Sequence, residues 1–274
     1  MGLCADAEPT LACWARTFSP CRPPLSREHL FSRSLFQERF VRVAGPPWTD
    51  GTEKTLPVDA LTIRNLCVGH NSALSELDQA AADVRNAMRR LSEMRRVRGV
   101  RRLDGKRWSP YQLTVDGRRF ERWMLKQLVN VCHVEGRTVT PWTPPNEFVE
   151  MVFGLRPVPE TAGFAAVGDP GTRLLIGEQL AAMAFYGTAG DPVGLALSFS
   201  GFPFACSWQH PVAQLAPFLF FTLAVSREDL VHRIAKIRDD DEGTELRFDW
   251  SGSWRERDNA GVAALRGRYP MRAT

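Results

Sequence analysis

The chain has no apolar run long enough to span a bilayer, which would take about 20 residues. Met1 to Ala12 carries neither a charged leading region nor an unbroken apolar stretch. A membrane partner and an exported protein are therefore not expected, and the reading is a soluble cytoplasmic chain. Cysteine is sparse: six residues scattered over 274 do not make the framework of a small secreted disulfide domain. Neither a glycine-rich phosphate loop nor a serine-centred nucleophile elbow occurs, which removes P-loop and α/β-hydrolase chemistry. Charge of one sign is not in large excess, since a net charge of +4 permits a polyanionic partner without requiring one. Of only five histidines, His133, His210 and His232 stand apart with no carboxylate at ligand spacing, so they read as hydrogen-bonded or surface residues. Cys132 and Cys206 sit in apolar runs and read as packed thiols. The acidic run Asp239 to Gly243 lacks alternating ligand spacing and reads as a solvated turn.

What is there is concentrated near the start. Hydrophobic residues make up 44% of the chain, enough for a sizeable core, yet four of the six cysteines crowd into the first 67 positions beside two histidines. Ser26-Arg27-Glu28-His29-Leu30-Phe31 alternates polar and apolar residues as a strand does, so Glu28 and His29 point to opposite faces. Arg64-Asn65-Leu66-Cys67-Val68-Gly69-His70-Asn71 is a Cys-x-x-His-Asn turn that leads into a helical pattern, with Ser72 available as its cap. Strand, loop and helix together read as a folded-back metal site.

This order of residues resembles the HNH endonucleases, the ββα-metal group, over residues 13 to 78. The resemblance implies that His29 is the general base that deprotonates a water, that Glu28 is a ligand of a single divalent ion, and that Asn71 completes the ion's protein shell. Asn65 occupies the place of the family's middle asparagine. The family's second zinc cysteine is here His70, an exchange that zinc tolerates. For the other two zinc ligands the sequence offers Cys4, Cys13 and Cys21. Cys13 and Cys21 lie nearest the Glu28 strand, giving an expected set of Cys13, Cys21, Cys67 and His70. The alternative is that His70 is the last histidine of the family's triad and binds the catalytic ion, with no zinc. The implied cofactors are structural Zn²⁺ and catalytic Mg²⁺ or Mn²⁺. The implied activity is hydrolysis of phosphodiester bonds in DNA, and its rival is a zinc-stabilised module that binds nucleic acid without cutting it.

The rest of the chain reads as α+β. Leu74 to about Val100 has helical periodicity and ends in a basic tail: Arg89, Arg90, Arg95, Arg96, Arg98, Arg101 and Arg102, then Lys106 and Arg107. Such a run tracks phosphates on DNA or is simply a solvated helix face. Tyr111 to Val115 reads as a strand closed by an Asp116-Gly117 hairpin turn. Arg119 to Cys132 reads as a helix with Phe120, Trp123, Met124, Leu128 and Val131 inward, and Arg122 and Lys126 outward. Leu56 to Ile63 reads as the strand returning to Glu28, and Asn146 to Phe153 as a short helix. Strands are expected at 173–176, 182–188, 194–208, 218–224 and 248–254. The organisation expected is an HNH-like module at 1–80, a basic helical connector at 81–143, and an α+β region with an antiparallel sheet at 144–274.

Overall fold

The computed structural model describes residues 13–44, 49–101, 111–135, 142–159, 162–166, 180–199, 202–209, 231–232, 236–238 and 244–251, and for 95–101 and several strand ends the backbone only. Cys4, Arg102, Lys106, Arg107, His210, the acidic run from Asp239, and the strands expected at 173–176 and 218–224 lie outside the described residues, as do the side chains of Arg95, Arg96, Arg98, Arg101 and His232.

The first described elements are two small strand pairs that lead into a helix. Strand β1, Glu28–His29, pairs antiparallel with β4, Thr62–Ile63, in the register Glu28↔Ile63 and His29↔Thr62. Leu30 N donates to Leu61 O and Ser26 N to Leu66 O, both at 2.8 Å, so the pairing runs on past the strand ends. Between them stands a hairpin of β2, Phe40–Val43, with β3, Lys54–Pro57, in which Asp50 and Gly51 both take positive φ. The strand expected from Leu56 to Ile63 is thus two strands. Pro57 has no N–H to continue a ladder, Val58 N turns to Arg39 O, and a 3₁₀ turn at Val58–Ala60 redirects the chain.

Helix α1, Val68–Ala73, is capped by Cys67, whose Sγ accepts from His70 N, and not by Ser72, which lies inside it. The helix ends at Leu74, and α2, Ser75–Arg101, follows at once. Strand β5, Tyr111–Asp116, passes directly into α3, Gly117–Glu135, so the expected hairpin turn is instead a helix start. The reason is capping: Asp116 Oδ1 accepts from Arg119 N at 3.0 Å. Gly117 is needed there because a Cβ would stand 2.8 Å from the Trp250 ring. A short helix α4, Asn146–Val152, follows.

The later strands are β6 (Gly163–Ala166), β7 (Ala181–Tyr186), β8 (Pro192–Phe199), β9 (Phe202–Ser207), β10 (Val231–His232), β11 (Lys236–Arg238) and β12 (Thr244–Asp249). They form an antiparallel sheet in the order β10-β6-β9-β8-β7, and a second sheet in the order β11-β12-β5. The expected antiparallel character holds except at β5 and β12, which run parallel. The molecule is mixed α+β.

Helix α3 lies at the centre, packed on α2 and against β7, β8 and β9. Phe120 meets Phe164 at 5.1 Å and Phe204 at 5.6 Å, both edge-on, while Phe18 stacks on Phe153 at 4.4 Å. Buried side chains from Cys13 to Phe248 form one contiguous cluster, which includes the Cys132 and Cys206 thiols. No helix among the described residues is long and apolar enough to cross a membrane.

Candidate metal centre and adjoining cleft

Two places of chemical interest flank α1. On its inner side Cys13 and Cys21 approach from the loop before β1, Cys67 stands at the helix cap, and His70 sits in the first turn. Their donor atoms all lie within 4.8 Å of one another. His70 Nδ1 is 3.3 Å from Cys13 Sγ, 3.2 Å from Cys67 Sγ and 4.0 Å from Cys21 Sγ. A tetrahedral zinc with bonds of about 2.0 to 2.3 Å separates its ligand atoms by roughly 3.5 to 3.8 Å, so the four donors already stand near coordination distance. The backbone adds to the fit. Cys67 N donates to Cys13 Sγ at 3.3 Å, and Arg22 N and His70 N reach Cys67 Sγ at 3.4 and 3.5 Å, as N–H groups do around thiolates.

Protonation is compatible with metal capture. Burial lowers His70 to about 4, so its imidazole is neutral at pH 7. Burial also raises the Cys13 and Cys21 thiols, so that in the metal-free protein they hold protons that an arriving ion displaces. Ser19 Oγ lies 2.7 Å from His70 Nε2, which places the ring's other nitrogen toward the sulfurs. The cluster could hold a metal such as zinc, with Cys13 and Cys21 as the upstream pair. The reading in which His70 faces the catalytic ion does not fit, because its ring is enclosed with the three sulfurs.

On the outer side of α1 lies a cleft of about 340 Å³, walled by Glu28, His29, Asn71 and Asp78, with Arg27 and Arg33 among its cationic groups. Consecutive helix residues point about 100° apart, so His70 enters the metal centre while Asn71 faces the cleft. Glu28 is only 4% exposed and pairs through Oε1 with Lys126 Nζ at 2.6 Å. Lys126 also reaches Asp78 Oδ1 and Oδ2 at 3.2 and 3.1 Å. Burial pushes the Glu28 carboxyl up, opposed chiefly by Lys126. Burial pulls Lys126 down, but Glu28 and Asp78 outweigh it and hold the ammonium above its usual value, so it is charged. His29 is partly exposed, with Nε2 3.7 Å from Asp59 Oδ1, an oxygen that Arg33 Nε also meets at 3.2 Å.

The placement of Lys126 corrects the expectation that it and Arg122 face solvent. Lys126 is 1% exposed, and Arg122 is buried with Nε donating to Val152 O at 2.9 Å. Both are drawn inward by acceptors from other parts of the chain. The same helix face supplies Asn130, which donates to Leu30 O at 3.2 Å and accepts from Asn65 Nδ2 at 3.0 Å. Asn65 therefore lies in the core beneath β1 and does not wall the cleft. Trp123 Nε1 donates to Ser32 Oγ at 2.8 Å, and Ser32 in turn donates to Asp78. Arg89 and Arg90 are exposed on α2, with Arg89 3.8 Å from Glu93. Sequence reasoning missed Lys126, Asp78, Asn130 and Ser19. The one available signal was that Trp123, Lys126, Gln127 and Asn130 recur at helical spacing on one side of α3. No protein-family model, curated protein or solved structure matches the chain.

Proposed function

We propose that the protein is an HNH-type endonuclease that hydrolyses phosphodiester bonds in DNA with the help of a divalent ion. The observation that carries this reading is the shared cleft: Glu28 and His29 from the first strand and Asn71 from the helix wall one space. The residue next to Asn71, His70, belongs to the Cys/His cluster that braces the helix start. The donors suit a hard ion, since Glu28 offers a carboxylate and Asn71 an amide oxygen at one cleft. Bound by these two, Mg²⁺ or Mn²⁺ would neutralise charge that develops on the phosphate. His29 takes the proton of the attacking water, with Asp59 near its other side. Arg27, at the cleft, meets a phosphate oxygen, and the basic stretch Arg89 to Arg102 adds grip that does not depend on base sequence. Zinc in the Cys13, Cys21, Cys67 and His70 cluster is structural in this scheme.

Plasmid cleavage tests the proposal. Wild type should cut only with Mg²⁺ or Mn²⁺, and His29→Ala should lose cleavage by roughly 10²-fold or more while keeping fold and DNA affinity. A His29→Ala protein that cuts at the wild-type rate would sink the assignment. One observation favours a second reading, a zinc-stabilised module that binds nucleic acid without cutting it: the Lys126 ammonium already neutralises Glu28. That reading prevails if wild type holds DNA but cuts none with any divalent ion.

A further inference from the structure

Lys126 is 1% exposed in the wall beneath the cleft, and an ammonium is rarely buried to that extent unless it is fully paired. Its partners come from two other elements: Glu28 on β1 at 2.6 Å, and Asp78 on α2 at 3.1 Å. One charged group on α3 thus ties together the strand and the helix that wall the site. Without a cation between them, the buried Glu28 carboxylate and the Asp78 carboxylate at the cleft would repel each other, and such a pair is what a divalent ion binds. Asp78 is held in this position, because Ser32 donates to it and Trp123 Nε1 anchors Ser32. Glu28 is gripped at Oε1 by Lys126 Nζ.

We propose that Lys126 is a positioning residue and the resident cation of this cleft: its ammonium orients Glu28 through Oε1 and, by standing between Glu28 and Asp78, keeps divalent-ion binding there weak and exchangeable. The inference rests on the cleft being the working site proposed above, but it concerns charge and not the cutting step. An ion held by Glu28 meets a fixed positive charge a few ångströms away, across a Glu28–Lys126 contact that is itself buried. Removing the ammonium while keeping both acids turns the same place into a two-carboxylate cation site.

The test is Mn²⁺ binding to full-length, zinc-loaded protein, read from the loss of the free-Mn²⁺ electron paramagnetic resonance signal, with melting temperature as a second measurement. Lys126→Met should bind Mn²⁺ roughly tenfold or more tightly than wild type, and Mn²⁺ should raise its melting temperature more than that of wild type. Lys126→Met/Asp78→Asn should lose that gain. If Lys126→Met does not fold in the absence of Mn²⁺, it should recover in Mn²⁺ but not in NaCl of equal ionic strength. The proposal is overturned by a Lys126→Met protein that binds Mn²⁺ no more tightly than wild type, or by one that neither folds nor recovers in Mn²⁺. A purely structural lysine would lower the melting temperature and leave Mn²⁺ affinity where it was. A wild type that cuts no DNA, beside a variant that shows the gain, would remove the nuclease reading and leave this one standing.

Discussion

His70 and Asn71 are neighbours in the chain that serve different places, and the way each is held explains the division. The His70 ring is fixed at both nitrogens: Nδ1 meets the sulfurs and Nε2 lies 2.7 Å from Ser19 Oγ. A ligand oriented by a fixed outer partner binds metal without first losing rotamer freedom, and removing such a partner typically costs about 10- to 100-fold in affinity. Ser19→Ala should therefore weaken zinc binding by about that factor, as measured by competition with a chromogenic chelator, while Cys67→Ser abolishes it. An unchanged affinity in Ser19→Ala would mean that the sulfurs alone orient the ring. Ser19 could not have been picked out in advance, because a serine between two cysteines in an irregular loop carries no periodic signal. His70 could, since the Cys-x-x-His spacing over one helical turn already puts both donors on one side.

At the scale of elements, α3 supplies what the small β1–β4 pair lacks. A pair of two-residue strands cannot hold its own geometry, yet β1 is gripped from below by Lys126 at Glu28 and by Asn130 at Leu30 O. The strand at Glu28 and helix α2 were legible because their signals are local: alternation around Glu28 and apolar spacing from Leu74 onward. The platform was not, because polar residues on an amphipathic helix look solvent-facing until their distant partners are known. Likewise Asp116-Gly117 carries the same letters whether it turns a hairpin or caps a helix; here β5 pairs with the distant β12 and Asp116 caps α3. Asn130→Ala tests the platform. It strands the Asn65 amide, whose Oδ1 already lacks a partner, so the protein should lose about 1 to 3 kcal/mol in a urea titration. A loss below a few tenths would mean that α3 supports the strand by apolar packing alone.

For the molecule as a whole, the question is whether the metal centre braces a separable module or the entire chain. Cys13, Cys67 and the Phe18–Phe153 stack belong to the same buried cluster as Phe204 and Phe248 on the later sheets. That cluster includes described residues on both sides of positions 80 and 143, where divisions were expected from the extent of the resemblance and from the prolines around Trp142. Elements that share one core unfold together, and ligand binding to the native state stabilises whatever unfolds with it. Removing the metal should therefore lower a single transition. Far-ultraviolet circular dichroism, dominated by α2 and α3, and tryptophan fluorescence, which includes Trp14 near the centre and Trp208 near β9, should report coincident midpoints with and without chelator, both shifted down in its presence. Two transitions, of which chelator moves only one, would instead mean that the sheets β6–β10 stand by themselves, and limited proteolysis near Thr143 would then release a stable C-terminal fragment.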